Sequence, residues 1–402
     1  MFRSPALIAG DGTAIVALVP DLQVCERYPL RPWFLDVDAS EQKFVFGISR
    51  AETEGHVGFR KVGGTVFPKG RTEIGFYWRG FRVKEGIKDP WEAVSRFLWR
   101  KYGRPLFQQG QPSKIPLDRY VETAYGWAFN RWEKIVWREF QMGETKVGAC
   151  RLIVTASDSP NSPGKRPSWE KDSIWNQAWF SSLRSASGLY RYARRTGNVA
   201  LKERACMTKE LALSAPQRAE GIFPSVFLAS DRYSEDGVQS WEEGRWSNSD
   251  RVPAERGITR EWYHVLDTSW TALQVVRWYR ELEGDERLLR YAKRYADFPL
   301  ERQEEKGFFP AWLHPETLEP AKILFESPET SLSVTFLLEL ADQKTGRGEA
   351  YRKAALKGMD AVIDEIIPDG RWEDFETYWS CSPFGREEYY GKKIERSGMY
   401  KQ

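Results

Sequence analysis

The chain has 402 residues, enough for two to three domains of roughly 150 residues with large cores. Sixty basic residues against 57 acidic ones leave a net charge of +3, with no bias toward nucleic acid or a membrane surface, and neither partner is expected. Four Cys without a CxxC pair and three widely separated His offer no metal-ligand spacing, so no metal and no other cofactor is expected.

The first twenty residues, MFRSPALIAGDGTAIVALVP, form an apolar run broken by Asp11 and Gly12, a poor secretory signal. No stretch reaches the about 18 apolar residues of a membrane span, and the expectation is a cytoplasmic protein unless the start is processed. Short β-branched or aromatic runs at 14–19, 33–37, 43–47, 56–60 and 73–82, separated by Gly and Pro turns, predict a small β-sandwich over 1–85. A helix at 91–101, capped by Asp89 with Pro90 at its first position, and a Gln-, Pro- and Gly-rich stretch at 104–116 predict a helical linker over 86–116. A long helix is predicted at 117–140, carrying Tyr120, Tyr125, Trp127, Trp132 and Trp137.

The rest of the chain repeats. Apolar residues Leu273, Val276, Tyr279 and Leu282 recur at helical spacing, Glu283-Gly284-Asp285 breaks the pattern, and a second helix follows until Pro299 limits it. Gly284 suits the left-handed residue that ends a helix, and Asp285 suits the cap of the next. The same unit recurs around Gly197 and Gly346. From turn glycine to loop glycine the pairs 197/221, 284/307 and 346/370 are 24, 23 and 24 residues apart. An amphipathic hairpin cannot bury its stripe alone, so the units must stack. In such a row the turns lie at one end, and the segments 143–172, 221–266, 307–328 and 370–388 converge on a mouth at the other.

Those segments are dense in acids and aromatics, and the chain as a whole has 18 Trp, 17 Tyr and 22 Phe. Flat apolar faces with a polar rim suit sugar rings. Trp246, Trp262, Tyr263, His264, Trp312, Trp372, Glu373 and Glu376 are the candidate substrate-binding residues, although helix packing accounts for part of the Trp content and solvated charge for loop acids. Seventeen residues before each turn glycine stand Phe180, Asp267 and Glu329. Neighbouring helices packed at about 8–10 Å would hold the two carboxylates near the roughly 6.5–9.5 Å of inverting glycoside hydrolysis, one as acid and one as base. The bland alternative is that both serve only as helix-start residues. Tyr263 and His264 beside Arg260 admit a different chemistry, abstraction of a sugar proton as in a lyase or epimerase.

Hairpins with TGN, EGD and TGR turns, aromatic first helices (WFSSLRSASGLYRYARRTGN, SWTALQVVRWYRELEGD) and GIFP and GFFPAW loops resemble the six-hairpin (α/α)6-toroid glycosidase superfamily. The resemblance covers 117–402 and implies a sugar bound in the toroid mouth with acids as catalysts. About seven or eight helices are counted after residue 117, fewer than six hairpins need, so the ring is cut short, open or completed by a partner. The expected fold is therefore mainly α, an α/α-hairpin toroid behind a smaller N-terminal β-sandwich. The expected function is hydrolysis of an oligo- or polysaccharide by Asp267 and Glu329. A lyase or epimerase through Tyr263 and His264 is the first alternative, and a non-catalytic helical-repeat scaffold the second.

Overall fold

A computed structural model of the chain describes residues 5–11, 13–29, 31–38, 41–54, 58–82, 91–110, 117–152, 172–231, 239–249, 252–254, 257–322, 326–343 and 346–367. They fall into two units, Met1–Leu117 and Asp118–Gln402.

In the first unit, β1 (Leu7–Gly10), β2 (Ala14–Pro20) and, from the far end, β7 (Phe76–Arg82) form one antiparallel sheet in the order β1-β2-β7. Helix α1 (Leu22–Arg27) starts at Asp21, whose carboxylate accepts the Gln23 N–H at 3.0 Å. Two separate hairpins follow, β3 (Trp33–Asp38) with β4 (Lys43–Ile48) and β5 (Ala51–Glu54) with β6 (Gly58–Lys61). The strands lie close to the predicted runs, in one three-stranded sheet and two hairpins. The helical stretch expected as a linker packs on them. Val94 of α2 (Trp91–Leu98) is buried with Ala6, Ala17 and Val19, and within the π turn that follows, Trp99–Gly103, the hydroxyl of Tyr102 reaches Asp21 at 3.2 Å. Helix α3 (Arg104–Gln108) ends the unit.

The second unit is mainly helical. The helix expected at 117–140 is divided into α4 (Asp118–Gly126), a π turn at Trp127–Arg131, α5 (Glu133–Val136) and a strand, β8 (Trp137–Met142). The strand forms because Gly143 takes φ 61° and turns the chain back into β9 (Thr145–Cys150), with Phe140 and Val147 buried against Phe227 and Trp241. After β10 (Ser173–Trp175) comes the first hairpin, α6 (Ser182–Thr196) and α7 (Val199–Leu213). Strands β11 (Val226–Leu228), β12 (Arg245–Ser247) and β13 (Tyr263–His264) lie in the next insertion. The second hairpin is α8 (Val265–Glu281) and α9 (Glu286–Arg302); then come β14 (Trp312–Leu313) and the third hairpin, α10 (Thr330–Ala341) and α11 (Gly348–Ala361). The first helices stand side by side, α8 against both α6 and α10, and one apolar core runs through all three hairpins. Among the described residues no helix is long and apolar enough to cross a membrane.

Gly197 takes the left-handed conformation expected of a helix end, φ 70°, and Gly346 is left-handed too, φ 79°, but it stands just ahead of α11 and not at the end of α10. Gly284 does not. There Glu283 shapes the turn instead, accepting from the Trp278 indole at 3.2 Å and from buried Lys209 at 2.9 Å, while Asp285 caps Arg287 at 3.0 Å. Pro299 sits inside α9 rather than ending it; one turn from the helix end, it removes little of the hydrogen-bond ladder.

The loop glycines make the joints between hairpins. Gly221 and Gly307 have φ 103° and 113°, and each presses on a second helix of the following hairpin, at Arg294 and at Lys357. Four residues before each stands a glutamine. The amide of Gln217 donates to the carbonyls of Gly221 and Tyr291 at 3.1 and 3.0 Å, and that of Gln303 to Gly307 and Ala354, both at 2.8 Å. Replacing Gln303 with Leu strands two carbonyls and is expected to cost about 1–3 kcal/mol, read as a lower urea midpoint at unchanged slope.

Candidate active site

Segments far apart in sequence meet at the N-terminal ends of α8 and α10. β13 pairs with β14, Tyr263 opposite Leu313 and His264 opposite Trp312, which ties the 221–266 insertion to 307–328. β10, β11 and β12 form a second small sheet, with Phe227 opposite Trp246. Buried asparagines staple these loops together. Asn248 accepts the Ser225 N–H at 3.2 Å and donates to the Glu261 carbonyl at 3.3 Å, and Asn176 accepts the Leu183 N–H at 3.0 Å. The described parts of the insertions therefore do share one end of the hairpin row. Residues 153–171 and 370–388, also assigned to the mouth, lie outside the described residues.

His264 is the centre of this end. It is 3% exposed, its Nδ1 lies 3.0 Å from Oδ2 of Asp267, and its Nε2 lies 3.1 Å from Oε2 of Glu329. Its ring stacks on Trp312 with centroids 4.2 Å apart and planes 6° apart. The other oxygen of Asp267 accepts the Ala178 N–H at 3.0 Å. A neutral imidazole donates from one nitrogen only, whereas both of these face an acceptor, so the geometry calls for imidazolium. Burial alone would lower the pKa of His264, but the two carboxylates outweigh it and push the value up to about 10. The imidazolium lies with its ring on the indole face of Trp312.

Neither carboxylate caps its own helix. Glu329 occupies the N-cap position of α10 without a side-chain bond to it, and Asp267 reaches across to the preceding hairpin. The threonines next in sequence to the two acids are equivalent as well. The hydroxyl of Thr268 donates to the Phe223 carbonyl at 3.4 Å, and that of Thr330 accepts the Phe309 N–H at 3.1 Å. An imidazole ring stands between the acids, where inverting hydrolysis would hold water.

The aromatic candidates surround this core. Trp262 meets His314 edge-on at 5.0 Å and packs with Val252, Ile258, Ala311 and Trp312. Trp246 lies edge-on to Phe227 at 5.4 Å, and its indole N–H has no partner among the described residues. Tyr263 is half-buried, and burial holds its hydroxyl above the usual range despite Arg218 nearby. Arg218 itself donates to the carbonyls of Pro315 and Glu316, fastening the 307–328 segment. Trp372, Glu373 and Glu376 lie outside the described residues.

Two residues of the site escape the sequence reading. Ala178 holds Asp267 through its backbone, which no side-chain pattern encodes. Gln177 is buried, and its Nε2 has no partner among the described residues. It stands 20 residues before Gly197, as His264 does before Gly284, so comparing the hairpins three positions further upstream brings it out. Among the described residues no group of His, Cys, Asp and Glu is placed to hold a metal ion.

No family model matches the chain, and no curated protein matches it. Solved structures similar to it include unsaturated glucuronyl hydrolase from Bacillus sp. GL1, at 18% identity over 50% of each chain with a TM-score of 0.39. A cold-adapted family 8 xylanase matches at 9% identity over 61% of this chain and 52% of its own, TM-score 0.36. A possible member of the GH105 family from Salmonella enterica matches at 13% identity over 74% of this chain and 76% of its own, TM-score 0.38. The chain thus spans about half the length of the glucuronyl hydrolase. At TM-scores this low the likeness carries no argument about this chain.

Proposed function

We propose that the chain is a carbohydrate-active hydrolase cleaving glycosidic bonds of an oligo- or polysaccharide, with Asp267 and Glu329 as its acid/base pair and His264 setting their charge. The observation that supports this is the convergence of two register-equivalent carboxylates, from successive hairpins, on one buried imidazole beside indoles. Burying three ionisable groups costs several kcal/mol per ion before pairing, and apolar residues would hold the same helices together at least as well. Such an expense marks a working site more often than a clamp.

Both oxygens of Asp267 are engaged, which fixes its orientation. In this reading Glu329 takes the Nε2 proton of His264 across their 3.1 Å contact and gives it to the leaving oxygen as the glycosidic C–O bond breaks, while water attacks the anomeric carbon and loses its proton to Asp267; exchange with solvent then restores all three groups. Trp246, Trp262 and Tyr263, each half-buried, offer flat faces to the sugar, whereas Trp312, 1% exposed and stacked on His264, serves as the support of that ring and not as a sugar contact. Trp372, Glu373 and Glu376 are proposed as further contacts, and the small sheets of the first unit as a β-sandwich. A lyase or epimerase would need His264 as a base, but both its nitrogens are committed to carboxylates.

The test is release of reducing ends from a panel of neutral and uronate-bearing oligosaccharides. Glu329→Gln should lower kcat on the responsive substrate by about 10²–10⁴-fold while circular dichroism and the melting curve stay those of a folded chain. No turnover of any saccharide by the unaltered chain, or undiminished turnover by Glu329→Gln, sinks the proposal.

A further inference from the structure

A second place in the hairpin row has the chemistry of a ligand site and is independent of the mouth. A groove between α6 and α8 encloses about 340 Å³ and is lined by Arg184, Arg191, Gln274, Arg277, Arg280 and Glu281, among others. Gln274 and Arg277 lie 7 and 10 residues beyond Asp267 along α8, a displacement of about 10–15 Å at 1.5 Å per residue.

Its charges do not cancel. Arg191 and Arg280 share Glu281, and Arg277 grips Glu339 of α10 through Nε at 3.0 Å and Nη2 at 2.6 Å, with Arg280 also on Glu339 at 3.1 Å. Four guanidinium groups thus face two carboxylates. Arg184 has no acid partner among the described residues; its guanidinium lies 5.5 Å over the Trp270 ring. Two buried N–H donors nearby lack acceptors. Gln274 is 5% exposed, and its Nε2 has no hydrogen-bond partner among the described residues; the Nε1 of Trp270, one turn earlier, has none either. Leaving buried N–H groups unmet is costly, and water alone meets them without offsetting the surplus of positive charge. A group that only accepts and carries negative charge answers both.

We infer that the α6–α8 groove binds an oxyanion, a sulfate, phosphate or carboxylate carried by a ligand, through Arg184 and the side-chain amide of Gln274. The volume is that of about ten waters, room for an oxyanion together with the ring that bears it.

The test uses the whole chain, titrated calorimetrically with sodium sulfate, sodium phosphate and sodium glucuronate against chloride at equal ionic strength. At least one oxyanion should bind saturably where chloride does not, and the one that binds identifies the class. Arg184→Ala, an exposed position, should weaken that binding by about tenfold or more. Gln274→Leu should weaken it similarly while leaving the ligand-free melting temperature equal or higher, since it removes an unmet amide; a structural role for Gln274 would lower it. Failure of all three oxyanions to exceed chloride, or an unchanged Kd in both variants, overturns the inference.

Discussion

Replacing His264 with leucine is expected to destabilise the second unit by about 3–5 kcal/mol, the largest loss from any single substitution at the site. The leucine fills the space on Trp312 but leaves Asp267 and Glu329 buried face to face without the cation between them. Adding Asp267→Asn and Glu329→Gln to His264→Leu removes both stranded charges, and the triple variant should recover most of the loss. The same bridge sets a pH dependence. The pKa of His264 is raised on folding from 6.5 to about 10, so the folded state binds the extra proton. Its contribution is fully present below pH 6.5 and is lost as pH rises toward about 10. Urea unfolding followed by Trp fluorescence at both ends of that window should show stability falling in the unaltered chain. This component should be missing in His264→Leu. A wild-type midpoint for His264→Leu at neutral pH would mean that no imidazolium bridge exists.

The second large effect lies in the joints. At Gly307 an added Cβ would stand 2.5 Å from the Lys357 carbonyl oxygen at φ 113°, and at Gly221 it would run into the Arg294 carbonyl at φ 103°. Neither obstacle is a flexible side-chain end; both are helix backbone. Relief requires one hairpin to move off the next, so Gly221→Ala and Gly307→Ala are each expected to cost about 4 kcal/mol or more. Gly346→Ala is the control. Its φ of 79° is also left-handed, but nothing lies within 4 Å of the new Cβ, and a cost of about 1 kcal/mol is expected. Equal melting shifts in Gly307→Ala and Gly346→Ala would show that backbone strain, not hairpin contact, explains the loop glycine.

The hairpins are legible in the sequence because their signals are local. Glycine spacing and the helical period of Leu273, Val276 and Tyr279 depend on nothing beyond the segment itself. Trp132 and Trp137 mislead for the same reason. Read locally they extend an aromatic helix face, whereas the strand at Trp137–Met142 depends on pairing with Thr145–Cys150. Gly143 is the available cue. Pro299 misleads as a helix stop because the joint beyond it, held by Gln303, keeps the last turn in place. At the site, the shared register of Asp267 and Glu329 can be read from repeats alone. The place of His264 between them cannot. It depends on a two-residue strand pairing that sets Trp312 beneath the ring, a contact spanning 48 positions of chain.

The Gln–Gly joints have a consequence for how such a chain diversifies. Each joint ties the end of one second helix to the second helix of the next hairpin, across the whole insertion that separates them. The second helices are thus registered independently of insertion length, and the loops between can change without moving the row. The acids have no such freedom, because His264 and Trp312, which hold them, come from the insertions themselves.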